Sequence, residues 1–174
     1  MKNKKMILAI VVIAVVGLGS IFVPKFFNQQ KKVKSADVKV GVLQFVTHPA
    51  LDEIYGGSKE GLADEGYADA KINFYNAQAD QSKVTTMSGQ LVDQKNDVLI
   101  GIATPSAQGL ANATSDVPVI MGAVSDPVGA KLVKNVKKPD GNVTGVSDKF
   151  PVAKEIDLIK QTTPNVKNIG LMYS

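Results

Sequence analysis

VKVGVLQFVTHPALDEIYGGSKEGLADEG, residues Val38–Gly66, decides the fold. Its first seven residues, Val38–Gln44, are apolar and β-branched and predict a strand. Pro49 then opens a helix through about Glu65, with Leu51, Ile54, Tyr55 and Leu62 on one face and Gly66 at the end. Gly56, Gly57 and Gly61 within it are expected to allow close packing on a sheet. The pattern repeats downstream. Strands are predicted at Lys71–Tyr75, Asp97–Ile102, Val117–Met121 and Asn142–Val146. Between them come helices capped at Asp80 or Ser82 and ending near Gln94, from Pro105 to about Ala113, and from Pro127 to Val133. Strands alternating with helices imply right-handed crossovers and an α/β, doubly wound parallel sheet. A further amphipathic helix is predicted over Phe150–Gln161 and a fresh strand over Asn168–Tyr173.

Upstream of this unit, Lys2, Lys4 and Lys5 precede an uncharged apolar run, Met6–Val23, closed by Pro24 and a second lysine cluster. As a helix it is just long enough to cross a bilayer, so it predicts an export signal, read as an uncleaved N-terminal transmembrane signal anchor, with cleavage near Gly17, Gly19 or Ser20 as the alternative. The sequence thus predicts anchor and linker over residues 1–35 and a domain outside the cytoplasm, held at the cell membrane.

The net charge of +4 belongs to that anchor. Seven of the 20 basic residues fall within the first 34 positions, leaving 13 lysines against 16 acids. The exported part has no basic excess, which argues against a nucleic-acid partner. All the basic residues are lysines, so bidentate guanidinium recognition is excluded. Cysteine is absent and His48 is the one histidine, which removes disulfides, thiolate nucleophiles and clustered-histidine metal sites. No metal and no cofactor is expected. The dinucleotide fingerprint and the phosphate-binding loop are both missing.

In parallel sheets, ligands sit at the carboxyl ends of the strands, where strand order reverses. The residues just after each strand therefore matter most, and they offer hydroxyls, amides and carboxylates. Thr104-Pro105-Ser106-Ala107 reads as a helix start with Thr104 as N-cap and with the free N–H groups of Ser106 and Ala107 facing an anion; it also reads as an ordinary cap. His48 can contact a ligand or cap the helix that follows. Asp126 can meet an ammonium group or cap the helix begun by Pro127. Gln44 and Phe45 stand at the end of the first strand, with Phe45 in a loop at the site end.

The stretches VGVLQFVTHPALDEIYGG, NAQADQS, IGIATPSAQGLA, SDPVGAKLV, GNVTGVSD and TPNVKNIGLMYS, in this order, carry a resemblance. From about Val38 onward the chain resembles the first half of an ABC-transporter substrate-binding protein of the periplasmic-binding-protein-like type I fold. It is most similar to the branch associated with tryptophan and other aromatic amino acids. The resemblance implies a first ligand-binding lobe over 37–146, then a crossing and the start of a second lobe over 147–174, cut short at its C-terminal side. It implies an extracytoplasmic receptor that binds a small amino acid between two lobes and delivers it to an ABC permease, without catalysis. Carried over as ligand-binding are Thr104, Ser106 and Ala107 for a carboxylate, Phe45 for an aromatic ring, and Gln44, His48 and Asp126 from neighbouring loops. Two other readings stay open: a sensor domain reporting to a membrane partner, and an exported α/β hydrolase using His48 and Asp126.

Overall fold

The computed structural model describes residues 34–163 and 165–170. A short 3₁₀ turn, Ser35–Asp37, leads into strand β1, Lys39–Gln44. Then follow α1 (Pro49–Asp64), β2 (Lys71–Asn76), α2 (Gln81–Asp93), β3 (Val98–Ile102) and α3 (Thr104–Ala113). The strands β4 (Val119–Gly122) and β5 (Val143–Gly145) and helix α4 (Val152–Thr162) complete the order. All strand pairs are parallel, in the order β2-β1-β3-β4-β5. The predicted doubly wound α/β sheet is therefore present.

The sheet is dry on both faces at its centre, as its unbroken apolar strands require. Val40 and Val42 of β1 point one way with Ile102, beneath Leu51, Ile54 and Tyr55 of α1. Leu43 and Leu99 point the other way, with Met121, beneath Val84 and Leu91 of α2 and Ala107 and Leu110 of α3. At Gly101 a Cβ would lie 2.6 Å from Ala107 Cα and 2.7 Å from its N, so the missing side chain is what lets α3 settle onto β3. Gly56, Gly57 and Gly61 of α1 do not play the equivalent part, because a Cβ at each would meet no atom within 4 Å.

Three further local expectations fail. Pro127–Val133 forms turns rather than a helix. Val128 and Gly129 are weak helix formers, and the chain reverses at Lys131, whose φ is 58°. Pro127 O accepts from Leu132 and Val133, which drop into the larger core. Residues 168–170 have no regular structure, and the remainder of the predicted last strand lies outside the described residues. Thr104 is not an N-cap but the first residue of α3; the cap position falls on Ala103. The expected membrane span, Met6–Val23, lies outside the described residues, among which no helix is long and apolar enough to cross a bilayer.

Candidate functional site

Register fixes where the loops emerge. Gln44 is level with Asn76 on one side and Ile102 on the other, Ile102 with Gly122, and Met121 with Gly145. The segments after every strand thus leave from one rim. β1 feeds α1 onto one face and β3 feeds α3 onto the other, so the loops diverge between these neighbours. That divergence is the switch-point crevice of an open parallel sheet.

The rim is backbone-strained. Gln78 (φ 56°), Ala79 (φ 60°), Ala103 (φ 77°) and Ala123 (φ 54°) all follow a strand within three residues and all have left-handed backbones. Ala103, with ψ 156°, occupies a region that is almost the preserve of glycine. Its N–H continues the sheet pairing to Gly122 O at 2.9 Å, and its carbonyl accepts from Ala107 at 3.1 Å. The chain passes from strand to helix in that single residue, which leaves no position for a side-chain cap.

The loop after β1 is held from both sides. Phe45 N–H donates to Ile102 O at 3.2 Å, and Phe45 O accepts from Ala79 at 2.8 Å. Asn76 Nδ2 donates to Thr47 Oγ1 at 3.0 Å while its Oδ1 accepts from Gln78 N–H at 2.8 Å. Phe45 is half-buried against the larger core. His48 is exposed and caps α1, its Nδ1 accepting from Ala50 N–H at 3.2 Å. A neutral imidazole so engaged carries its hydrogen on Nε2.

The other expected site residues divide into reachable and buried. Thr104 is half-buried at the rim. Ser106 is fully buried, and its hydroxyl has no partner. Ala107 is core, and its N–H is spent on Ala103, so the expectation that it faces an anion is corrected. The donors lying ahead of the helical ladder are the N–H groups of Thr104 and Ser106, since Pro105 has none. Gln44 is fully buried, its amide donating to Val46 O at 2.9 Å and to Asp52 Oδ1 at 2.7 Å. Asp126 is exposed and caps a turn rather than a helix, accepting from Gly129 N–H at 2.8 Å.

An open apolar pocket of about 390 Å³ lies beside this rim, between α1 and β4. Ile54, Ile100, Ile120, Gly122, Ala123 and Val146 line it, and none of the expected site residues does. Val146, 72% exposed, belongs to the segment leaving β5. Gly145 starts that departure with φ 144°; a Cβ there would run into the Met121 carbonyl. Val146 N–H then pairs with Met121 O at 2.9 Å, so the outgoing segment stays against the β4 loop. Sequence reasoning placed Ala103 and Ala123 in the segments after their strands but missed their left-handed backbones, and it missed the hold of Gln44 on Asp52. Asp52 was visible only as an acid near His48, and nothing local marks an alanine as left-handed. Among the described residues, no group of three or more His, Asp or Glu is placed to hold a metal.

Comparison with known proteins follows the same outline. Residues 39–174 match the family described as ABC transporter substrate binding protein. A curated tyrosine-binding protein of Clostridioides difficile (strain R20291) is 44% identical over 151 residues, which are 84% of this chain and 44% of that protein. An ABC domain from Streptococcus pneumonia, solved in complex with L-Trp, is 62% identical with a TM-score of 0.72, over 75% of this chain and 45% of that one. A ligand-free, open substrate-binding protein with adhesive properties from Clostridium difficile is 40% identical with a TM-score of 0.68, over 74% of this chain and 44% of that one. The chain spans less than half the length of these relatives. Its strand-end rim and its match from the first strand onward agree: the chain belongs to the ABC transporter substrate-binding protein family.

Proposed function

We propose that this chain is the first ligand-binding lobe of an extracytoplasmic receptor that captures an aromatic amino acid and passes it to an ABC permease. The observation that carries the reading is the open start of α3, set at the switch point and level with the Phe45–His48 loop. The N–H groups of Thr104 and Ser106, with the positive end of the helix, suit a carboxylate. The hydroxyl of half-buried Thr104 adds a donor at the rim. Phe45 offers an aromatic face, and His48 a free Nε2. The tyrosine and tryptophan named for relatives support an aromatic side chain.

Binding rather than catalysis fits this rim. His48 and Asp126, which a hydrolase would have to use, are each engaged with backbone N–H groups of their own turns. The two-lobe reading, with residues 147–174 opening the second lobe, draws support from α4. Val152 and Leu158 are 60% and 59% exposed on that amphipathic helix, an apolar stripe suited to a further layer. Closure of two lobes about their crossings would bury the ligand without altering it. The apolar run Met6–Val23 would tether the receptor to the membrane.

Calorimetric titration with L-tryptophan, L-tyrosine, L-phenylalanine and L-leucine tests the ligand class. Saturable heat from at least one aromatic amino acid, exceeding that from leucine, is expected. Heat from none of them overturns the reading.

A further inference from the structure

Charge is unevenly placed on this lobe. From Ser35 to Ala130 it carries 5 lysines against 12 acids. Four lysines then fall within eight residues, Lys131, Lys134, Lys137 and Lys138, with no acid among them. All four are exposed. The ion pair found among the described residues is Lys134–Asp140, so the other three lysines have no carboxylate partner there. An open hollow of about 510 Å³ lies between Lys131, Lys134 and Asp140, lined also by Leu132 and Val133.

The loop is firmly seated. Leu132 and Val133 are buried in the larger core at its start. At its end the Asn142 amide donates to Thr114 O at 3.0 Å and to Val117 O at 2.8 Å. Between these anchors Asn135 closes a turn: its Oδ1 accepts from Lys137 N–H at 2.8 Å and its carbonyl from Lys138 N–H at 3.3 Å. Val136 and Lys137 therefore stand at the tip, with Val136 52% exposed. An apolar side chain at the point of an ordered turn, flanked by lysines, suits an anionic interface. Valine and the lysine stems enter the headgroup layer while the ammonium groups meet phosphate.

The loop's place in the fold points to a bilayer. It leads into the start of β5, which is level with the start of β4, on the rim opposite the ligand crevice. The turn Ser35–Asp37 delivers the chain to β1 on that same rim, three strand spacings or about 14 Å away. The stretch from Pro24 to Lys34 has 11 residues and spans at most about 36 Å. A bilayer crossed by the apolar run is thus within reach of this rim.

We propose that the Lys131–Lys138 loop rests on the anionic lipid surface and holds the lower rim there, with the ligand rim about 20 Å further out. This rests on the reading of Met6–Val23 as a membrane tether and goes beyond it. The four lysines and Val136 lie away from the crevice, so lipid contact leaves the crevice open to solvent.

The full chain has no cysteine, so Ala113→Cys carries a single fluorophore at the exposed end of α3, on the loop's rim. It is reconstituted into vesicles of phosphatidylcholine, with or without about a third phosphatidylglycerol, and nitroxide-labelled headgroups read its closeness by quenching. Phosphatidylglycerol is expected to strengthen the quenching. At about fivefold per lysine, Lys131→Gln, Lys137→Gln and Lys138→Gln together shift the contact equilibrium about a hundredfold, returning quenching to the phosphatidylcholine level, as high salt also does. A Ser125→Cys probe, on the ligand rim, should not respond. Quenching that ignores phosphatidylglycerol, or survives the three substitutions, overturns the inference; if the chain still floats with both vesicles, the tether reading stands. A chain that floats with neither overturns both. Lipid-indifferent quenching together with calorimetric heat from soluble polyphosphate, lost in the triple variant, assigns the loop to a soluble polyanion and likewise overturns the inference.

Discussion

Helices α1 and α3 both leave a strand end through a proline, yet they begin in opposite ways. At α1, His48 sits in the extended region, with φ −154°, and its ring accepts an N–H of the first turn. At α3, Ala103 takes φ 77° and no side chain caps the helix. The first start satisfies itself. The second spends backbone strain to arrive early at the rim and leaves N–H donors open. Strain retained next to unfilled donors marks a binding position more sharply than either does alone. Helix α2 sides with α1, because Asp80 accepts from Ser82 and Lys83.

The strongest way to break this contrast is Gly101→Ala. The new methyl would press on the Ala107 backbone and lift α3 from the sheet. Overpacking of this kind costs about 3 kcal/mol. Chemical denaturation should show that loss, together with weaker binding of aromatic amino acids. A variant as stable as wild type would mean that α3 is not seated on β3 through this contact.

Ala103→Gly has a smaller effect of opposite sign. Relieving the left-handed backbone returns about 1–3 kcal/mol, and the freer unfolded chain takes back about 0.4–1 kcal/mol. A net gain of about 1 kcal/mol is expected in the same denaturation assay. A net loss would show that the alanine is not strained at this position.

The smallest effect sharpens the comparison through pH. The Ser82 hydroxyl, followed by the Lys83 and Ser82 N–H groups, holds the Asp80 carboxyl below its ordinary value of 3.8. With the folded-state value depressed, the cap's contribution is complete above that ordinary value and is lost as pH falls through the lower folded value. The amide resonances of Ser82 and Lys83 should therefore titrate with a midpoint below 3.8. A midpoint at or above it would remove Asp80 as the cap, while α3, having no such group, should show no matching step.

Much of the scaffold was legible because its determinants are local. The β-branched run at Val38–Gln44, the helical spacing in Val84, Met87 and Leu91, and the capping chemistry of Asp80 each act within a few residues. The turns at Pro127–Val133 were misread as a helix because the burial of Leu132 and Val133 in a distant core outweighed weak local propensity. At the site, the order of the strand ends could be anticipated, but the engagement of individual atoms could not. Gln44 and Asp126 were both expected to meet ligand; the fold turns one inward onto Asp52 and gives the other to Gly129.

Periodicity and turn chemistry along the chain determined that this protein alternates strand and helix and ends its strands in polar loops. Only the tertiary structure decided that Ala103 is left-handed, that the N–H of Ala107 is occupied while that of Ser106 lies ahead of the ladder, and that Asp52 is held by a buried amide. The reason is physical. Patterning acts between residues close in sequence, whereas the seat of α3 depends on β3, β4 and Gly101 meeting in space, and backbone angles at the junction follow from that packing.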